Sequence, residues 1–266
     1  MTNSRDIFIG DDQNNVADGT EGDDIFFGKG GNDLLRGGSG DDLVLGGEGN
    51  DSLRGDRGRD LILGEAGDDL IFGGRGNDFL DGGVGKDAIF GDRGDDIIVG
   101  GDGVDTLTGG SGEDRFVYSG NPFANGTPAP AGNTGINVLN TPDIITDYEI
   151  GEDQFVLDSS DLGIDNIVFQ SGNSSQISGN SNVIVLLNPF AAAGAAAKAI
   201  ADNNQITSDE GAFIYFNTTL GISRLVYSKD LGDGGDISVL ANLNNQAGDA
   251  GLANLANFSA NDFSLA

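Results

Sequence analysis

The chain has 266 residues, 43 of them acidic and 13 basic, for a formal net charge of −30. Nucleic acid and anionic membrane surfaces are bound through surplus Lys and Arg, so both are poor partners here and a multivalent cation is the natural counterpart. Neither cysteine nor histidine occurs, which removes disulfides, thiolate and imidazole metal sites, and every His-based nucleophile or general base.

The first residues, MTNSRDIFIGDDQ, lack the apolar stretch of a Sec signal peptide, and no run approaches the roughly 18 apolar residues of a membrane span. Residues 1–18 hold degenerate copies of the unit that follows, with Asp6-Ile7-Phe8-Ile9 in phase and Asn15-Val16-Ala17 a weaker match. Residues 19–117 are eleven uninterrupted nonapeptides of the form G-x-x-G-x-D-x-U-x, U being apolar. The sixth position is Asp24, Asp33, Asp42, Asp51, Asp60, Asp69, Asp78, Asp87, Asp96, Asp105 and Asp114. The eighth runs from Phe26 and Leu35 to Leu107 and Phe116 and is apolar every time.

Nine residues bury nothing alone, so the copies must stack. The x-U-x triplet is a minimal strand, and the glycine-rich hexapeptide before it is a tight turn. Two copies make one coil, odd copies forming one parallel sheet and even copies a second, with the U residues between them. Asp24, Asp42, Asp60, Asp78, Asp96 and Asp114 then line one edge; Asp33, Asp51, Asp69, Asp87 and Asp105 line the other. Rungs are about 4.7–4.9 Å apart. Two oxygens on opposite sides of a Ca²⁺ ion span about 4.6–5.2 Å, so an ion between rungs can take carboxylate oxygens from both, with turn carbonyls filling the shell. Without it, each stacked pair costs roughly 0.9 kcal/mol at the dielectric of water and roughly 3.5 at an effective value of 20.

GGEGNDSLR, GGRGNDFLD and GGSGEDRFV resemble the nonapeptide of the RTX (repeats-in-toxin) calcium-binding family. The resemblance implies an all-β fold, a calcium-stabilised parallel β-roll of two sheets, with the eleven position-six aspartates as ligands. Successive pairs give five inter-turn positions on one edge and four on the other, about nine Ca²⁺ ions in all. Asn15 departs from the motif, so a site beside it should be weaker. The outward positions of the odd copies, such as Leu43/Leu45 and Leu61/Leu63, form an apolar face that asks for a cover: residues 118–266, or a second copy in a dimer.

Residues 118–140 read as a Gly/Pro/Asn-rich linker, and 141–266 as a β-rich C-terminal domain with one short helix. In chain order, 141–163 predicts two short strands around an acidic turn, 182–188 a strand, and 190–203 a helix capped by Asn188 and opened by Pro189. Residues 212–228 predict a hairpin, followed by the turn KDLGDGGD, a further strand and the ending NDFSLA. These last segments resemble the C-terminal module that type I secretion systems read as an uncleaved signal. Asp143, Asp147, Asp153, Asp233 and Asp236 could bind further calcium, though a solvated acidic turn is the first reading.

The resemblance implies a secreted protein, extracellular or at the cell surface, whose roll folds on calcium after export through a type I apparatus. No catalytic residues are assigned, because neither H-E-x-x-H nor a nucleophile with a partner base can be built. Other readings stay open: a calcium-dependent adhesive, matrix or surface-layer component that meets cell-surface polysaccharide, or an accessory module or carbohydrate-active enzyme using two carboxylates.

Overall fold

The computed structural model describes residues 5–119, 129–130, 142–191, 193–203, 205–208, 210–229, 231 and 236–266, with backbone alone at 129, 130, 194 and 236. Two compact units divide the chain, Met1–Val117 and Tyr118–Ala266.

In the first unit every copy of the repeat becomes one strand. β1 (Ile7–Ile9), β3 (Ile25–Gly30), β5 (Leu43–Glu48), β7 (Leu61–Ala66), β9 (Phe79–Gly85), β11 (Ile97–Gly103) and β13 (Arg115–Tyr118) stack in parallel as one sheet. β2 (Val16–Asp18), β4 (Leu34–Ser39), β6 (Ser52–Arg57), β8 (Leu70–Arg75), β10 (Ala88–Arg93) and β12 (Thr106–Ser111) form the second. Partners are two copies apart, as in Ile7↔Ile25, Val16↔Leu34 and Leu43↔Leu61, so the degenerate start contributes true rungs. The eleven position-eight side chains, Phe26 to Phe116, are at most 1 % exposed and form the single layer of core between the sheets. Most outward positions of the odd sheet are half-buried; Ile7, Ile9 and Leu61 are exposed.

Position four is glycine for two reasons. Its φ is positive, +131° at Gly58 and +132° at Gly76, and a Cβ on Gly76 would overlap the carbonyl oxygen of Gly58 in the rung below. Position two also takes positive φ; a Cβ on Gly47 or Gly74 there would meet the carbonyl oxygen of the rung below, yet Lys29, Asp56, Glu65 and Asp92 occupy it with smaller φ of 75–79°. An L-residue pays strain in that region, about 1–2 kcal/mol.

The second unit contains the expected hairpin, β19 (Gly211–Asn217) against β20 (Ile222–Ser228), and β20 pairs antiparallel with β21 (Asp236–Ala247). β18 (Val183–Leu186) lies parallel to β17 (Phe169–Gly172) and β19. The two strands around the acidic turn, β15 (Asp143–Ile145) and β16 (Gln154–Leu157), pair parallel with β21 and with the final strand β22 (Phe263–Leu265), respectively. β14 (Ala129–Pro130) pairs antiparallel with β21; most of the 118–140 linker and of the KDLGDGGD turn lies outside the described residues.

The helix starts later than the N-cap reading of Asn188-Pro189 predicts. It spans Ala193–Ala201, because Phe190 is held in a β-bridge to Asn217. Ala193, Ala196, Ala197 and Ile200 form one face and pack with Ile184, Phe213, Tyr215 and Val226. Two shorter helices, Ser159–Leu162 and Gly248–Asn254, accompany it. Among the described residues no helix is long and apolar enough to cross a membrane.

The glycine geometry has a measurable consequence. In calcium, Glu65→Gly should raise stability by about 1 kcal/mol by removing a positive-φ penalty, whereas Gly76→Ala should lower it. Urea unfolding of both variants checks the opposite signs.

Candidate metal sites along the turns

Each position-six aspartate ends a turn and opens a strand, so its side chain faces along the stacking direction. All eleven are at most 3 % exposed, not splayed into solvent. Oδ1 accepts the backbone N–H of the aspartate one rung below: Asp24 N–H donates to Asp42, Asp42 to Asp60, Asp60 to Asp78 and Asp78 to Asp96, at 2.7–2.8 Å. The other edge repeats this from Asp33 through Asp51, Asp69 and Asp87 to Asp105, at 2.7–2.9 Å. Asp96 N–H likewise donates to Asp114, and Asn15 N–H donates to Asp33. Asn15 itself stands in the same column with an amide in place of the carboxylate.

The second oxygen is different. In Asp24, Asp33, Asp42, Asp51, Asp60, Asp69, Asp78, Asp87 and Asp96, Oδ2 is buried and has no hydrogen-bond partner. Buried polar atoms without partners are rare and mark a missing ligand or a cost. Their surroundings are oxygen-rich. A Cβ on Gly28 would overlap both the Oδ2 of Asp33 and the carbonyl oxygen of Gly46; Gly46 and Gly64 repeat the arrangement with Asp51 and Asp69. Position one is therefore glycine because a carboxylate oxygen and a carbonyl from the next rung converge beside it. Among the described residues no three carboxylates converge on one point. Two aspartates supplemented by carbonyls is a donor set of hard oxygens, which fits Ca²⁺ and not a soft metal.

Burial pushes the carboxyls of Asp42, Asp51, Asp69, Asp78 and Asp105 up to about 6, and those of Asp60, Asp87 and Asp96 up to about 7. The backbone N–H opposes the shift. Stacked charges add to it, Asp60 feeling both Asp78 and Asp42.

A second ladder is not evident from the sequence. At position five, Asp23, Asp41, Asp68, Asp95, Asn32, Asn50 and Asn77 each accept, through Oδ1, the backbone N–H of the residue one rung above, at 2.8–3.1 Å. Adjacent residues thus tie each turn in opposite directions. The available signal is the Asn/Asp preference before the invariant Asp, blurred by Arg59, Lys86, Val104 and Glu113.

Two buried carboxylates of the second unit serve its turns. Asp153, buried, accepts the Glu149 N–H at 2.8 Å, and Asp262 accepts those of Gly151 and Ser259 at 2.7 and 2.8 Å. Asp153 is thus a buried turn cap and not a solvated acid. Asp233 and the side chain of Asp236 lie outside the described residues.

The family model of the RTX calcium-binding nonapeptide repeat (4 copies) matches residues 2–35, 9–44, 18–53, 45–80 and 81–116. Residues 2–116 are an RTX calcium-binding repeat array. No curated relative matches the chain. The RTX match begins ahead of the clean repeats and so takes in β1 and β2.

The raised carboxyls make the metal-free RTX array sensitive to pH. Acids whose folded pKa lies above the unfolded value of about 3.9 favour folding below that value, and this contribution is lost as pH rises through 6 to 7. In chelator, circular dichroism should therefore show more β structure at pH 5 than at pH 7.5. In calcium the order should reverse, since the ion needs carboxylates. A D60N/D78N/D96N variant should flatten the difference in chelator; an unchanged pH response would mean that the columns do not cause it.

Proposed function

We propose that this chain is a secreted calcium-binding protein, exported unfolded through a type I apparatus, whose roll forms when it meets extracellular calcium, and that it has no catalytic site of its own. The observation that carries this reading is the column of buried Oδ2 atoms without hydrogen-bond partners. Ions would lie between Asp24 and Asp42 and at each following pair to Asp96 and Asp114. On the other edge they would run from Asp33 and Asp51 to Asp87 and Asp105. Oδ1 of each aspartate holds the backbone of the rung below, Oδ2 would face the cation, and glycine carbonyls would complete its shell. The bound ion supplies positive charge that cancels repulsion within the column.

At free calcium about 100 times its dissociation constant, each site would add about 2.7 kcal/mol, a sizeable part of a domain's stability of about 5–15 kcal/mol. At low calcium the same carboxylates repel, and a chain kept unfolded suits passage through a narrow channel. The hairpin and final strand of the second unit are compatible with a C-terminal export module. The absence of histidine and the use of Asp153 and Asp262 as turn caps support a non-catalytic role. A second reading, a calcium-dependent adhesive or surface-layer component, shares the calcium step and is favoured by the outward row of Arg57, Arg75 and Arg93.

The test is circular dichroism of the full chain in chelator and in millimolar calcium, with ion counting by native mass spectrometry. β content should rise sharply with calcium in the wild type. D60N/D78N keeps the Oδ1 acceptors but should lose ions at the three positions that involve Asp60 or Asp78, namely 42/60, 60/78 and 78/96. Equal β content of the wild type in both buffers would rule out calcium-dependent folding.

A further inference from the structure

The edge of the roll that carries Asp42, Asp60 and Asp78 also bears a groove of about 750 Å³, lined by Arg36, Arg54, Arg57, Arg75 and Arg93 with Asp18, Asp56 and Asp92 among them. In a chain with 13 basic residues, this concentration comes from register. Arg57, Arg75 and Arg93 occupy position three of alternate copies and pair along consecutive rungs. Arg36 and Arg54 pair in the same way at position nine. Asp56 accepts from both Arg36 and Arg54 and so offsets one charge. Arg57, Arg75 and Arg93 are exposed and form no ion pair with a described residue. Three guanidiniums at rung intervals of about 4.8 Å repel one another as the carboxylates do, and call for anions at a similar repeat.

A second observation narrows the chemistry. The position-nine column continues from Arg54 into Phe72 and Phe90. The two rings stack at 5.0 Å and 13°, and the Arg54 guanidinium lies 5.7 Å from the Phe72 centroid. Phe72 and Phe90 thus continue the column of Arg54, which itself lines the groove. An apolar strip beside a row of guanidiniums matches a chain of uronic acid pyranoses, whose rings have C–H faces and carry carboxylates at their edges.

We propose that this groove binds an acidic polysaccharide, a linear chain of sugars carrying carboxylates, along the stacking axis. The net charge of −30 does not prevent this, because screening over about 8 Å at physiological salt leaves dominant the groove's own surplus of five guanidiniums over three carboxylates. The inference requires the folded roll but not the export step.

The test is calorimetry of the full chain in calcium with oligogalacturonate, with a neutral cello-oligosaccharide and a single-stranded DNA of matched charge as comparisons. Oligogalacturonate should bind, more weakly as salt rises, and the other two should not. R57Q/R75Q/R93Q should weaken binding roughly tenfold or more, while the charge-matched R5Q/K86Q/R115Q should bind as the wild type does. Circular dichroism in calcium confirms the roll in each protein; if the triple variant is misfolded, R75E replaces it. Wild-type affinity in the groove variant would overturn the proposal, as would equal binding of DNA, or no uronate binding by a folded wild type. In the last case the calcium-dependent roll would stand without the groove.

Discussion

The rise between parallel rungs controls this molecule. At about 4.8 Å it is fixed by backbone hydrogen bonding, so any residue type repeated every 18 positions becomes a column of identical side chains in contact. Apolar columns gain from that arrangement, and position eight fills the core with them. Charged columns lose, and can persist only where something of opposite charge fits the same spacing. Both kinds of charged column occur here, carboxylates turned inward at position six and guanidiniums turned outward at position three.

The acidic column is built with unusual economy of atoms. One carboxylate oxygen replaces a backbone carbonyl as acceptor for the turn below, and the other is left facing glycine carbonyls. Position five ties the turn in the opposite direction, so adjacent side chains hold each turn to both neighbours. The cost is carried by the raised carboxyls, and it is a cost that a divalent cation reverses. Stability is thereby coupled to calcium at the level of each rung, without a separate regulatory element.

The second unit obeys different physics. Its order comes from aromatic packing and long-range pairing, with the buried Tyr148 ring stacked on Phe155 at 4.3 Å and its hydroxyl donating to the Asp153 carbonyl. No 18-residue register repeats there, and its buried Asp153 and Asp262 are spent on turn N–H groups. The contrast explains why periodicity reads one unit whole and the other only by segment. The hairpin read at 212–228 forms over 211–228, whereas the helix start is displaced by the bridge between Phe190 and Asn217.

The sequence by itself determined which residues stack. An uninterrupted nine-residue period allows only one pairing of copies, so the two sheets, the position-eight core and the two edges of Asp24 to Asp114 are all legible in the residues alone. Only the tertiary structure decided how each stacked side chain is used: that Oδ1 of Asp42 belongs to the backbone of Asp24 while its Oδ2 is left over, that Asp41 holds the turn above, and that Arg57, Arg75 and Arg93 share one groove. Periodicity specifies neighbours. The division of a carboxylate between an N–H and an oxygen-lined gap depends on turn dihedrals and close approach of backbones, which no residue pattern encodes locally.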